Sequence, residues 1–369
     1  MRLIQALPSS GLEACASGVC TVFRDAGGWR QRGQLTQSCL RQSVIWDKER
    51  PPRTSTQSET PPPTCSFRNS PSSAQARQSP ATPMVAFRHP VIAVSHGPGP
   101  LWLLTSGFAG MSKSSVPAQS LTTTFDKLYP KGTNLPKRIL YVSAHWESES
   151  SGFEISTADK PDMIFDYYGF PDEAYEVKYP AKGDPAFAQK VKEQLEKNNM
   201  KAKLVDRGFD HGVFVPMLLI RPQADIPIVT MSINSRLGNK AHLELGKAIA
   251  PFRDEDTLIM CSGQATHNMR ASRDPNSPLL DWAAAFQGWL DNTITADSKL
   301  SYGQRGDQIS NWPAAPAARL AHPTPDHFVP FVVGAGAGME ESKPEAEKLF
   351  GGWGMGHMSF ATYAWGVEH

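Results

Sequence analysis

The sequence predicts an α/β fold, a single-domain sandwich around a central mixed, largely parallel sheet that occupies residues 84–369. Two observations carry this. Short β-branched apolar runs alternate with segments of helical period, and strands that alternate with helices imply a sheet covered by helices. The composition also breaks near residue 84. Residues 1–83 hold 10 Lys and Arg against 5 Asp and Glu, leaving 27 and 31 of the chain's 37 and 36 for the remainder. The first segment is therefore basic and the rest mildly acidic. A hydrophobic share of 40% is enough for one large core.

The elements follow in order. Strands are expected at Val91–Ser95, Ile139–Ser143, Phe153–Thr157, Lys203–Asp206, Ile226–Ser232 and Thr257–Cys261, with a last one at Ser359–Trp365. The clearest helix is Asp184–Asn198: Asp184 can cap it, Pro185 suits its first position, and Phe187, Val191 and Leu195 share one face. Further helices are expected at Ser120–Leu128, Val213–Ile220, Lys240–Pro251, Leu279–Thr293 and Pro325–Gly334, the last with Thr324 as its cap and Pro325 as its first residue. The GAGAG run Gly334–Gly338 follows a helix, not a strand, and so fails the context test for dinucleotide binding.

Residues 1–83 contain Cys15, Cys20, Cys39 and Cys65, whose spacings match no zinc template. Their proline- and serine-rich surroundings predict a disordered basic extension, or a mispredicted start ahead of Met84. Pro8 and Glu13 interrupt the one secretory-signal candidate, and the acidic residues argue against a transit peptide. No apolar run reaches the roughly 18 residues of a membrane span. A net charge of +1 gives no reason to expect a nucleic-acid or membrane partner. The single Cys261 of the remainder fits a reducing, cytoplasmic compartment, with organelle targeting by the first segment left open.

The chemistry is expected from histidines. All ten lie after residue 83. His96, His145 and His267 each follow a predicted core strand, the edge of an open α/β sheet where ligands bind. Asp210-His211-Gly212 precedes a helix, and His322-Pro323-Thr324-Pro325-Asp326-His327 opens another. Neutral imidazole is the common ligand of zinc and iron, and His96, His145 and one of His322 or His327 would leave open coordination positions, as in a catalytic site. Taken singly, each histidine is more often a hydrogen-bonded turn residue; their joint placement is what argues for a metal. His89, His242, His357 and His369 are assigned no role.

Six motifs together resemble one family. They are Ser95-His96-Gly97, Ser143-Ala144-His145-Trp146, Asp166-Tyr167-Tyr168-Gly169-Phe170-Pro171, Gly208-Phe209-Asp210-His211-Gly212, Ser262-Gly263 through His267-Asn268, and His322 through Phe328. Their order and spacing, from about Phe87 to Trp365, are similar to the DOPA-dioxygenase-like branch of the class III extradiol ring-cleavage dioxygenases, the LigB-like superfamily. That resemblance implies a mixed-sheet α/β sandwich, a non-haem Fe(II) or Zn(II) centre, and a small aromatic substrate of the catechol type together with O2. Carried over by motif, His96, His145 and His327 would hold the metal and His211 would be the acid/base residue. His267 and His322 would line the pocket or surround the ligands. The chemistry suits these residue types, because removing a proton from a catechol hydroxyl and later returning one needs a group that titrates near neutrality.

Asp210 is expected either to orient His211 or raise its pKa, or to cap the helix that follows. Trp146 and the Asp166–Pro171 stretch are expected to wall the pocket, with Phe165 and Phe170 serving as core. The first motif departs from the pattern: SHGPGPLWLL carries two prolines and a tryptophan beside His96, which leaves the substrate open. Two other functions compete. One is a metal-binding relative with a signalling or scaffold role, against which the retained His211 argues. The other is a zinc hydrolase, which the lack of an H-E-x-x-H arrangement disfavours.

Overall fold

The computed structural model describes residues 87–369, so the expectation for residues 1–83 lies outside the described residues. The strands are β1 (Val91–Ser95), β2 (Arg138–Ser148), β3 (Phe153–Ser156), β4 (Ala202–Val205), β5 (Ile228–Asn234), β6 (Thr257–Gly263), β7 (Glu347–Phe350), β8 (Trp353–Gly354), β9 (Met358–Ser359) and β10 (Thr362–Trp365). The helices are α1 (Val116–Leu121), α2 (Thr124–Leu128), α3 (Pro185–Lys197), α4 (His211–Ile220), α5 (Asn239–Ile249), α6 (Asp281–Ile294), α7 (Tyr302–Ser310), α8 (Ala318–Ala321) and α9 (Val329–Gly338).

Eight strands form one sheet in the order β4-β3-β5-β2-β6-β1-β10-β7, and β8 pairs with β9 separately. The central run β5-β2-β6-β1 is parallel, β3 pairs antiparallel with β5, and β10 pairs antiparallel with β1 and β7. The expected mixed, largely parallel α/β sheet is therefore present. Alternation along the buried strands sends side chains to two cores. Val91, Ala93, Leu140, Val142, Val229 and Ile259 face α3, α5 and α9. Ile92, Val94, Ile139, Tyr141, Leu258 and Met260 face α1, α2 and α4.

Local chemistry explains most boundaries. Asp184 caps α3 by accepting from the Phe187 N–H at 2.9 Å, as its sequence predicts. The single helix expected at Ser120–Leu128 is two, because the hydroxyls of Thr122 and Thr123 bond back to the carbonyls of Gln119 and Ser120 and end α1. The helix expected from Pro325 begins at Val329, with Pro330 in its first turn. The Pro325 carbonyl instead accepts from the N–H groups of Phe328 and Val329, so the HPTPDH segment is a turn. At its other end α9 continues through the GAGAG run. Small residues are required there: a Cβ on Gly336 would stand 2.1 Å from the Leu243 carbonyl oxygen of α5. The strand expected over Ser359–Trp365 divides into β9 and β10. α7 was not anticipated, although its capping box, Ser301 with Gln304, is a sequence signal.

Candidate metal centre and pocket

The carboxyl ends of the central strands meet at one rim. His96 directly follows β1. His145 does not lie beyond β2, as the sequence suggests, but within it. The register moves from Ser143 opposite Ser232 to Glu147 opposite Ile233, so Ala144, His145 and Trp146 bulge from the ladder. A bulge re-aims side chains, and here it turns the His145 imidazole toward His96. His211 is the first residue of α4, and His327 is delivered by the turn before α9. His267 follows β6 in a loop.

Ring nitrogens of His96, His145 and His327 lie within 4.8 Å of one another. Their tautomers follow from their partners. The His96 Nδ1 lies 3.0 Å from Ser262 Oγ, and that hydroxyl donates its one proton to the Gly212 carbonyl at 2.6 Å. The Nδ1 must therefore donate, leaving Nε2 bare. The His145 Nδ1 faces the Asp166 carboxylate at 3.2 Å and is likewise a donor. With His145 in its neutral form, two lone pairs face each other across 3.1 Å, His96 Nε2 against His145 Nε2. A cation would satisfy both, and the third ring is prepared in the same way: His327 Nδ1 donates to the Asp326 carboxylate. Three imidazoles whose outer nitrogens are held by acceptors fit a zinc or iron ion.

Electrostatics keep His96 and His327 neutral. Burial, followed by the neighbouring imidazoles with His145 first, pushes His96 well below the usual histidine range. Burial and His267 do the same to His327, with Asp326 opposing. Burial also pushes the Asp166 carboxyl up, but hydrogen bonds from His145 and His211 outweigh it and hold the carboxyl below the usual range. Asp166 is the residue the sequence reading missed. Its Oδ1 accepts from the His211 Nδ1 at 2.7 Å and from the His211 backbone N–H at 3.0 Å, while Oδ2 faces His145. It lies 45 residues before His211 in a stretch read only for its aromatics, so no local signal tied the two together.

Asp210 neither orients the His211 ring nor caps α4 by a hydrogen bond, although its charge is one of the influences that raise the His211 pKa against burial, as expected. It occupies the cap position of α4 but makes no capping bond. Its carboxylate accepts from Ser143 Oγ at 2.7 Å and from Arg207 at 3.2 Å. Through Ser143, whose Oγ accepts from the His145 N–H at 3.2 Å, it supports the bulge instead of His211.

A cavity of about 610 Å³ opens over the cluster, lined by His96, His145, His211, His267 and His327. His267 stacks on His327 at 3.6 Å between ring centroids, and burial holds it down to about 4. Tyr167, Phe170 and Pro171 wall one side, so Phe170 serves the pocket as well as packing on the core. Phe165 is core, as expected. Two expected pocket residues are elsewhere. Trp146 points away, donating to Glu154 at 3.2 Å beneath the Arg207 guanidinium, because successive residues of the bulged strand face opposite sides. His322 is buried among Phe286, Trp312 and Phe328, and its Nε2 bonds the Ala265 carbonyl at 3.0 Å. In the first motif, Gly97 has φ +82°, and a Cβ there would stand 2.4 Å from the Trp102 ring. The motif's tryptophan thus buttresses the turn that carries His96.

Fold and site together define an α/β enzyme with a histidine-lined pocket at its strand ends that could hold a metal. The profile of the catalytic LigB subunit of aromatic ring-opening dioxygenases matches residues 92–363, and the chain belongs to that family. It is accordingly an oxidoreductase of the extradiol ring-cleavage type, metal-dependent and acting on an aromatic substrate with O2. The chain is 39% identical to a 4,5-DOPA dioxygenase extradiol of Beta vulgaris over 230 residues, 62% of this chain and 82% of the relative. It is 38% identical to the dioxygenase tasH of Hapsidospora irregularis over 295 residues, 75% and 85% of the two chains. The crystal structure of the uncharacterized protein JW3007 from Escherichia coli K12 superposes with a TM-score of 0.58 at 26% identity, covering 76% of this chain and all of that one. Among the described residues, no helix is long and apolar enough to cross a membrane.

Proposed function

We propose that the chain is an Fe(II)-dependent extradiol dioxygenase that opens a catechol ring and places both atoms of O2 in the product. In this reading His96, His145 and His327 hold the metal and His211 transfers the proton. The observation that carries it is the pair of imidazole Nε2 atoms 3.1 Å apart on a cavity floor, with the His327 imidazole beside them. When bound, the metal supplies Lewis acidity toward the two catechol oxygens and an open position for O2.

The chain's own residues do the rest. The Tyr167 and Phe170 rings offer flat apolar surface to an aromatic ring. Asp166 holds the Nδ1 proton of His211, which leaves Nε2 to accept a proton from a catechol hydroxyl and return it later. Burial first, and then His145, lowers His211 below the usual histidine range, so the ring is neutral and ready to accept at neutral pH. The same Asp166 carboxylate fixes His145, and so one residue orients both a metal ligand and the base. Zn(II) suits the same three nitrogens, and family membership favours oxygenase chemistry over a scaffold or a hydrolase.

The test is oxygen uptake. The full chain is reconstituted anaerobically with Fe(II), mixed with catechols in air, and followed for O2 consumption and the visible absorbance of a ring-opened product. Both are expected. Metal-loaded protein that consumes no oxygen with any catechol would refute the reading.

A further inference from the structure

We propose that the natural substrate is a catechol carrying an apolar arm and no ammonium group, its far end an anion such as a carboxylate that meets Arg273. This rests on the ring-cleavage reading above and adds the substrate class to it. The cavity is far larger than a catechol ring needs: about 150 Å³ suffices for benzene, against about 610 Å³ here. The extra space is apolar. It runs past Leu101, Leu104, Met111, Met355 and Met358, all buried and so fixed in place by the packing behind them. Thioether and branched side chains of this kind suit a flexible hydrocarbon arm.

The charges are one-sided. Among the described residues, no aspartate or glutamate lines the cavity. An amino-acid catechol, of the kind the DOPA dioxygenases are named for, would bring an ammonium group against this wall with nothing to pair it, and an unpaired desolvated charge is costly. The opposite sign is provided for. Arg273, itself exposed, lines the cavity from the loop after β6, as the exposed Met269 and Phe108 also do. Among the described residues its guanidinium makes no ion pair, unlike Arg88, Arg138, Arg207, Arg221 and Arg253. A guanidinium at the mouth of an apolar channel is suited to a carboxylate through two parallel hydrogen bonds.

One pair of compounds isolates the claim. Dihydrocaffeate differs from DOPA only in lacking the α-ammonium group. With the Fe(II)-loaded full chain, kcat/KM for dihydrocaffeate should exceed that for DOPA by about tenfold or more. Calorimetric titration of the Zn(II)-loaded chain, which needs no turnover, should rank the two in the same order. Equal values, or a preference for DOPA, would overturn the proposal. Arg273→Gln should lower the ratio of kcat/KM for dihydrocaffeate over propylcatechol by about tenfold, and an unchanged ratio would remove Arg273 from the assignment. If no catechol is cleaved while calorimetry still favours dihydrocaffeate, the oxygenase reading fails and the ligand class stands.

Discussion

Asp166→Asn is the change that best tests how the centre is held. The carboxylate accepts from the His211 Nδ1 at 2.7 Å and the His211 N–H at 3.0 Å, and it faces the His145 Nδ1 at 3.2 Å. Asparagine keeps the size but replaces one acceptor oxygen with an NH₂ donor. Whichever way the amide turns, one imidazole N–H then meets a donor. That ring must tilt away or move its proton to Nε2, which removes the lone pair aimed at the cavity. Loss of such an outer partner costs about 10- to 100-fold in metal affinity, or about 1.4 to 2.7 kcal/mol. If His211 is the ring displaced, turnover falls by about 100-fold or more. The assay is a Zn(II) titration against a chromophoric chelator, with kcat measured on the Fe(II) form. Asp210→Asn is the control, because that carboxylate touches neither ring nitrogen and should change His211-dependent turnover less. Metal affinity and kcat both within twofold of the parent protein would refute the argument that Asp166 fixes the tautomers.

Three further outcomes follow from the same geometry. His211→Ala should leave Zn(II) binding nearly intact and slow turnover by about 100-fold or more, read as kcat at saturating substrate; unchanged turnover would exclude it as the base. His322, held by burial down to about 3, is neutral when folded and protonates readily when unfolded. Its stabilising contribution is therefore full above the ordinary histidine value of about 6.5 and is lost as pH falls toward 3, at about 1.4 kcal/mol per pH unit, or about 2 kcal/mol by pH 5. Denaturant unfolding at pH 7 and pH 5 should show a steeper acid loss in the parent than in His322→Gln, and parallel losses would contradict this. Gly336→Ala forces a methyl toward the Leu243 carbonyl oxygen and should destabilise by about 1 to 3 kcal/mol, measured by urea denaturation; a neutral result would mean that α5 and α9 part more easily than their packing indicates.

The divide between what was legible in the sequence and what was not follows the range of the forces involved. Strand positions and the α3 cap were legible because alternation, β-branching and an Asp-Pro start act between near neighbours. The convergence of His96, His145 and His267 on one rim was legible because a parallel sheet sends its carboxyl ends to the same edge, whereas His211 and His327 were placed there only through the resemblance of their motifs. The turn at Pro325 and the break after α1 were misread because each rests on hydrogen bonds that compete locally with a helix and leave the apolar period unchanged.

By itself, then, the sequence determined the fold class, the histidines of the candidate metal site and the family. Periodicity and motif order are one-dimensional properties. Tertiary structure alone decided that the bulge in β2 aims His145 inward and Trp146 outward, that Asp166 and not Asp210 steadies His211, and that His322 belongs to the core. Each of these depends on contacts between residues tens or hundreds of positions apart. Hydrogen-bond partners at that separation are set by how the layers pack, and no local pattern along the chain encodes them.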